Sequence, residues 1–152
     1  MNVAVKYNNI EVGSEMPEYV CDPLTRTHLV RYAGASGDFN PLHYDQTFVR
    51  TIGLKNVIAH GMLIMGIVSE AITSWIGLKN LKKFNVRFLN MTEPMDLDDR
   101  EKTKDRATII IKGKVVRKFE ENGEQKFECD VTAQDALGSK KLSGYFIATL
   151  PS

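Results

Sequence analysis

One apolar segment near the middle of the chain, residues 58–76, constrains the fold most. Its apolar side chains recur at three- and four-residue spacings: Met62, Leu63, Met65, Ile67, Val68, Ala71, Ile72, Trp75 and Ile76. A helix that is apolar on most faces must be buried in a core. The segment also carries Ser69 and Glu70, which argues against a transmembrane span of ~20 apolar residues. The pattern therefore predicts one buried helix that ends at Gly77, a residue type common after the last helical turn.

The second half of the chain changes from helical to strand periodicity. Four strand candidates are spaced along it, at residues 84–88, 107–116, 127–133 and 142–150. Asn122-Gly123 predicts a tight hairpin turn because both residue types tolerate a positive φ, and Gly138-Ser139 offers a second turn. These signals predict a four-strand antiparallel meander.

The element order predicts an α+β architecture. An extended element and helical pieces come first, then the buried helix, then the strands, so the sheet is expected to wrap around that helix. The charged stretch 92–106 separates two strand candidates and is expected to be a solvated loop. A length of 152 residues predicts a single domain over residues 1–152.

Charge and cysteine usage narrow the class of protein. Twenty Lys and Arg residues against nineteen Asp and Glu residues leave no overall field that would draw nucleic acid or an anionic membrane. Cys21 and Cys129 lie far apart and have neither metal-ligand spacing nor a disulfide framework. The first residues also lack the basic and apolar regions of a signal peptide. We expect reduced thiols and a cytoplasmic location.

The segment Gly37-Asp38-Phe39-Asn40-Pro41-Leu42-His43 carries the main chemical candidates. Pro41 and Gly37 favour an ordered loop over a helix face, so the Asp38 carboxylate and the His43 imidazole are held close together. Such a pair can orient a water molecule and move its protons. A turn-forming aspartate and a hydrogen-bonded, partly buried histidine are the structural alternative, which spacing alone favours.

A second candidate lies where the apolar helix begins, at Ala59-His60-Gly61-Met62. The first N–H groups of a helix have no internal acceptor and lie at its positive end, where they suit a developing oxyanion. Gly61 would let a ligand approach its N–H closely. A glycine required for close packing at a helix start explains the same residue equally well.

Together these motifs resemble the MaoC-like hydratases, also called hydratase 2, of the hot-dog superfamily. The segments PLTRTHLVRYAGASGDFNPLHYD, IAHGMLIMGI, TSWIG and FNVRF resemble in particular the catalytic subunits of two-chain (3R)-hydroxyacyl-acyl-carrier-protein dehydratases. The likeness extends from residue 23 to about residue 89 and is weaker in the later strands. The Gly-Asp-x-Asn-Pro-x-His part is a specific motif, whereas His-Gly alone is not.

The resemblance implies a hot-dog fold and a hydro-lyase that adds water to trans-2-enoyl thioesters or removes it from (3R)-hydroxyacyl thioesters. It implies that Asp38 and His43 hold the catalytic water, and that the N–H of Gly61 donates a hydrogen bond to the thioester carbonyl. It also implies supporting roles for Asn40, which would hold the loop, and for Ser69, although the residue type of Ser69 favours a small residue that eases helix packing. His60 is expected to be structural, with a neutral buried ring.

The resemblance also implies the ligands and partners. The substrate would be a thioester of coenzyme A or of acyl-carrier protein, and the partner an identical chain or a paralogous hot-dog chain. No cofactor is expected, nor a metal, because His28, His43 and His60 lack metal-ligand spacing. The charged insert 96–106 departs from the short proline-glycine turn of many relatives, so substrate length stays open. A thioesterase and a noncatalytic acyl-binding subunit are the competing functions.

Overall fold

The computed structural model describes residues 5–151, and it confirms the predicted α+β architecture. Its α-helices and β-strands are α1 (Arg26–Ser36), α2 (Gln46–Thr51), α3 (Gly61–Ile76), α4 (Arg100–Ala107), β1 (Tyr19–Cys21), β2 (Leu81–Phe88), β3 (Ile109–Glu121), β4 (Glu124–Asp135) and β5 (Lys140–Thr149). The strands form one antiparallel sheet, and α3 is the helix that the sheet covers.

The predicted buried helix is α3, and its end at Gly77 is confirmed. Gly77 has a φ of 83°, and its N–H is bonded to the carbonyl of Thr73 at 2.8 Å. The helix begins at Gly61, later than the apolar run, because the backbone of His60 before it is not helical, with a φ of −59° and a ψ of 133°. Ile58 donates to the carbonyl of Leu42 at 3.0 Å, and Ala59 donates to that of Thr92 at 2.8 Å. These bonds hold residues 58–59 extended beside the loop that precedes α2.

The sheet order is β1-β3-β4-β5-β2, which confirms only part of the predicted meander. β3, β4 and β5 follow one another as expected, and the turn at Asn122 and Gly123 has φ values of 55° and 75°. β2 was wrongly predicted to lie beside β3, because it pairs with β5 in a register that places Phe84 opposite Phe146. Residues 89–108 carry the chain across the sheet between β2 and β3, and periodicity identifies strands without identifying their neighbours.

The charged insert is not the solvated loop that its composition predicts, because part of it forms helix α4. Thr103 and Ala107 form a buried side of α4, with 6% and 0% of their surfaces exposed. The Thr103 hydroxyl donates to the carbonyl of Asp99 at 2.7 Å, and Lys104 bonds Glu101 one turn away at 2.7 Å. A short helix with a buried side is thus stable here despite its polar composition.

The core lies between α3 and strands β3 to β5. The buried residues of α3 are Ile64, Ile67, Val68, Ala71, Ile72 and Ile76. At the C-terminal end of the helix, the rings of Trp75, Phe127 and Phe146 meet edge to face at centroid distances of 5.9 to 6.4 Å. Both cysteines are free thiols, as predicted. Within residues 5–151 no helix has the length and apolar character that crossing a bilayer requires.

Candidate active site

The loop that carries Asp38 begins where α1 ends. Gly37 adopts a left-handed conformation with a φ of 74°, which stops the helix, and its N–H is bonded to the carbonyl of Ala33 at 2.9 Å. Asp38 then accepts the N–H of Asn40 at 3.2 Å, and Asn40 accepts the N–H of Leu42 at 3.1 Å. Two successive side chain to backbone bonds therefore shape the turn that brings His43 back beside Asp38.

Asp38 and His43 face each other across a short gap. Oδ2 of Asp38 lies 3.8 Å from Nε2 of His43. This separation is too long for a direct hydrogen bond but allows both atoms to contact the same water. The two side chains differ in environment, because 53% of the Asp38 side chain is exposed and only 11% of the His43 side chain. The carboxylate therefore faces solvent, and the imidazole faces the protein.

The carbonyl of Ile58 fixes the orientation of the His43 ring. Nδ1 of His43 lies 2.8 Å from this oxygen, which can only accept a hydrogen bond, so Nδ1 carries a proton. In the neutral ring Nε2 then has a free lone pair directed toward the gap beside Asp38. The arrangement provides a proton acceptor at the position where a shared water would lie.

His60 lies behind this pair and is buried, with 1% of its surface exposed. Its Nε2 donates to the main-chain carbonyl of Asp38 at 3.1 Å, and its ring stacks on that of His43 at a centroid distance of 3.6 Å. Burial lowers the pKa of His60, which keeps the ring neutral near neutral pH. The stacked, neutral ring therefore supports both members of the pair without adding charge.

Asp38, His43 and His60 are the described residues whose arrangement comes closest to a metal site, with one ligand atom from each within 4.8 Å of the others. The imidazole planes of His43 and His60 are stacked, with an angle of 24° between them. Their in-plane lone pairs are therefore nearly parallel and cannot converge on one tetrahedral ion. His28 lies elsewhere, since its Nδ1 accepts the N–H of Thr25 at the start of α1. The three groups fit a water molecule better than a metal ion.

Gly61 is the first residue of α3, and it lines a cavity. The described residues include no hydrogen-bond partner for its N–H, as expected for the first position of a helix. A cavity of about 250 Å³ lies beside it, lined by His43, Ile64 and Phe88 among others. A Cβ atom added at Gly61 would lie 3.2 Å from the Phe88 ring, so the glycine also permits close packing. Both interpretations of Gly61 therefore have a structural basis.

Among the described residues, Ser69 makes no hydrogen bond to this group. It lies eight residues after Gly61 in α3, which corresponds to about 12 Å along the helix axis. Its carbonyl accepts the Thr73 hydroxyl at 2.8 Å, and among residues 5–151 its own hydroxyl has no hydrogen-bond partner. Its supporting role stays a prediction.

Sequence reasoning missed two buried polar residues that line the cavity. Thr92 is 2% exposed, and within the described part of the chain its hydroxyl has no hydrogen-bond partner. Lys141 is 7% exposed, pairs with Asp135 at 2.9 Å and donates to the carbonyl of Met91 at 3.1 Å. Their residue types are ordinary in a charged stretch and a strand, so no local pattern could have identified them. Lys141 fixes the segment that places Thr92 against the cavity.

Comparison with known proteins gives a family match over residues 10–121, to the model described as MaoC like domain. A curated relative is the peroxisomal hydratase-dehydrogenase-epimerase of Saccharomyces cerevisiae, which is 32% identical over 89 residues that cover 58% of this chain. The chain spans only 10% of that protein and 6% of the first fungal fatty acid synthase subunit that it matches.

Two solved structures illustrate the shared fold. The R-hydratase PhaJ1 of Pseudomonas aeruginosa has a TM-score of 0.79 and 23% identity, and the match covers 98% of this chain and 87% of that one. A chain of the HadBC (3R)-hydroxyacyl-ACP dehydratase complex of Mycobacterium tuberculosis has a TM-score of 0.65 and 10% identity, with 92% and 98% covered. At these identities the likeness establishes the fold alone.

Proposed function

Because the chain belongs to the MaoC-like domain family, we propose that it adds water to trans-2-enoyl thioesters and removes water from (3R)-hydroxyacyl thioesters. The observation that carries the proposal is the 3.8 Å gap between Oδ2 of Asp38 and Nε2 of His43, beside the cavity at the start of α3. The hydratase names of the yeast relative and of the Pseudomonas structure support the same reaction class.

In the proposed hydration, Asp38 and His43 hold one water molecule between them. The water oxygen bonds to C3 of the enoyl group while the pair takes up one water proton and delivers a proton to C2. Hydrogen and hydroxyl are thus added across the double bond with no net proton change. The unprotonated Nε2 of His43 is suited to accept that proton, because the Ile58 carbonyl fixes the proton of the ring on Nδ1. Dehydration uses the same groups in reverse.

The N–H of Gly61 is proposed to bind the thioester carbonyl oxygen, on which enolate-like charge accumulates during the reaction. This N–H lies at the positive end of a 16-residue helix and has no other partner among the described residues. A donor of this kind supplies roughly 3 kcal/mol of transition-state stabilisation. Asn40 holds the loop, and His60 supports the pair as a neutral ring. The supporting role of Ser69 stays a prediction.

The acyl carrier and the partner are further parts of the proposal. The substrate is a thioester of coenzyme A or acyl-carrier protein, and no cofactor takes part. We expect a dimer with an identical chain or with a paralogous hot-dog chain. In the described sheet, β2 forms an outer edge, and Phe88, Leu89 and Met91 near its end are 47%, 42% and 56% exposed. The free thiols Cys21 and Cys129 fit the reducing cytoplasm that we propose as its location.

The experiment follows crotonyl-CoA with the purified chain. Hydration removes the conjugated absorbance without releasing a free thiol, whereas a thioesterase releases the thiol of coenzyme A. Chiral analysis of the product should then show the (3R) alcohol. Thiol release would favour the thioesterase, and a (3S) product would contradict the family mechanism. Inactivity of the dimer on the crotonyl thioesters of both coenzyme A and acyl-carrier protein would favour a noncatalytic subunit.

A further inference from the structure

A polar cluster joins the charged insert to the segments that carry the active site. We call it the Asp96 cluster, and it consists of Arg26, Gln46, Asn56, Asp96 and Arg106. Asp96 pairs with Arg106 at 2.8 Å and with Arg26 at 3.4 Å, and Arg26 donates to Gln46 at 3.2 Å. These residues come from α1, α2, the connection before α3 and the insert, so the cluster ties together parts that are distant in sequence.

Asn56 is the buried member of the cluster, with 6% of its surface exposed. Its Oδ1 accepts from Nη2 of Arg26 at 2.6 Å and from the N–H of Val57 at 2.9 Å. Its Nδ2 donates to Oδ1 of Asp96 at 3.3 Å. A buried amide is costly unless it is hydrogen-bonded, so Arg26 and Asp96 define where this side chain and its backbone can lie.

The backbone that Asn56 fixes is the backbone that orients His43. Two residues beyond Asn56, the N–H of Ile58 donates to the carbonyl of Leu42 at 3.0 Å. The carbonyl of Ile58 accepts Nδ1 of His43 at 2.8 Å. A displacement of residues 56–58 would therefore move the one acceptor that sets the tautomer of the catalytic imidazole.

The second member of the catalytic pair is connected to the same cluster. Arg26 is the first residue of α1, and that helix ends at Ser36, directly before Gly37 and Asp38. Arg26 thus contacts both Asn56, on the side of His43, and Asp96 of the insert. The cluster lies at the point where the two segments that supply the pair are held relative to each other.

We propose that Asp96 and Arg26 are positioning residues that act through Asn56 and the Ile58 carbonyl to hold His43 in its Nδ1–H tautomer beside Asp38. This assigns a role to the charged insert, which supplies Asp96. The effect on turnover rests on the proposed hydratase function, whereas the effect on the tautomer does not. Neither residue contacts the cavity that would hold the acyl group.

The test compares Asp96→Ala with Glu101→Ala. Both substitutions remove an acidic side chain of the insert that has a basic partner, but the ion pair of Glu101 among residues 5–151 is with Lys104, outside the cluster. We expect Asp96→Ala to lower kcat for crotonyl-CoA by about 10- to 100-fold with little change in KM, because the reacting group is misplaced while the cavity is intact. Glu101→Ala should match the parent chain in both parameters.

A second readout follows the ring itself. In protein labelled with ¹⁵N-histidine, the parent chain and Glu101→Ala should show His43 as the Nδ1–H tautomer, and Asp96→Ala should show a mixture of tautomers. A lower melting temperature with parental kcat per folded molecule and an unchanged tautomer would contradict the proposal. The Asp96 cluster would then stabilise the fold without positioning His43. If Asp96→Ala does not fold, Arg26→Ala, which removes the donor to Oδ1 of Asn56, is judged by the same two measurements. If the parent chain lacks hydratase activity, the proposed function fails, and the tautomer alone decides this inference.

Discussion

The helix–sheet core and the active-site loop are held together by different kinds of interaction. In the core, α3 and the strands bury apolar side chains whose contacts are individually weak and collectively strong, and Phe127 and Phe146 have no exposed surface. In the loop, 53% of the Asp38 side chain is exposed, and single hydrogen bonds to the backbone set the geometry. The core therefore determines whether the chain folds, and the loop determines where a few atoms lie.

This difference predicts that stability and turnover can be changed separately. Loss of a core ring should lower the free energy of unfolding and leave the chemistry of each folded molecule intact. Loss of a loop group should lower turnover and leave the free energy of unfolding nearly unchanged. The following predictions test how far this separation holds.

The largest effect is expected at the catalytic pair. Asp38→Asn and His43→Ala should each lower kcat for crotonyl-CoA by about 10²- to 10⁴-fold, because the water loses a proton acceptor or an orienting group. Asp38→Asn keeps an oxygen for the N–H of Asn40, so its melting temperature should stay near that of the parent. His43→Ala loses the stacked ring on His60 and should cost about 1 kcal/mol of stability. Hydration of crotonyl-CoA by either variant at nearly the parental rate would contradict the proposal that Asp38 and His43 hold the reacting water.

A loss of stability without a loss of activity is expected at Phe127. This residue lies on β4 and packs against Trp75, near the C-terminal end of α3. Phe127→Ala should cost about 3–5 kcal/mol of unfolding free energy, because a buried ring leaves a cavity. Urea denaturation measures this loss, and activity per folded molecule below the transition should match the parent. If the folded fraction lost its activity, the core and the site would be coupled more tightly than the structure indicates.

A pair of glycines in α3 tests whether the start of the helix belongs to the loop or to the core. A Cβ at Gly61 would lie 3.2 Å from the Phe88 ring, whereas a Cβ at Gly66 would have no atom within 4 Å apart from its chain neighbours and the nearby backbone of its own helix. Gly61→Ala should lower kcat/KM by about 10-fold, because the thioester loses close access and the cavity narrows. Gly66→Ala should instead raise stability by about 0.5–1 kcal/mol.

Melting temperature and activity measured on both glycine variants separate the two interpretations of Gly61. If Gly61→Ala destabilised the chain while its folded molecules kept parental activity, Gly61 would have only a packing role. Gly66→Ala, whose activity should match that of the parent chain, is the control for a methyl group added to the same helix.

His60 should make stability depend on pH. Burial lowers its pKa in the folded chain below the ordinary value of 6.5, so on acidification the unfolded chain binds a proton that the folded chain does not. Stability should therefore fall as the pH is lowered from about 7.5 to about 5.5. Urea denaturation at both values should show a smaller fall for His60→Gln, which has no ring to protonate. Equal pH dependence of the two proteins would place the responsible group elsewhere.

The smallest effect is expected at Thr92, whose hydroxyl is buried without a protein partner among residues 5–151. Thr92→Val keeps the shape and removes the hydroxyl, so the unfolding free energy should rise by up to about 1 kcal/mol. Denaturation of the two proteins side by side measures the change. A loss of stability would instead show that an ordered water or another ligand satisfies the hydroxyl.

The sequence was sufficient for the elements whose periodicity is strong. Phe127 and Cys129 lie in the predicted strand 127–133, which is part of β4, and the run before Gly77 forms the central helix. The closeness of Asp38 and His43 was also predictable, because both lie on one short loop with a proline and a glycine. Local chemistry determines each of these features.

The remaining features depend on partners that are distant in sequence. The place of β2 depends on β5, and the fold of the insert depends on Thr103 and Ala107 finding a buried surface. The Asn56–Asp96 bond joins residues 40 apart, and the Ile58 carbonyl acts through its backbone, which any residue type would offer. No pattern of residue types along the chain specifies such contacts.

The pairing of β2 with β5 also sets an order for assembly of the chain. β3, β4 and β5 are linked by short turns, so these strands can pair soon after they leave the ribosome. β2 is synthesised before them, yet its partner Phe146 comes only with the last strand. During translation, the loop that carries Asp38 and His43 and strand β2 therefore belong to a nascent chain whose sheet is still incomplete. Ribosome-bound chains stalled before Lys140 should leave β2 unprotected from proteolysis, and release of β5 should close the sheet in a single late step.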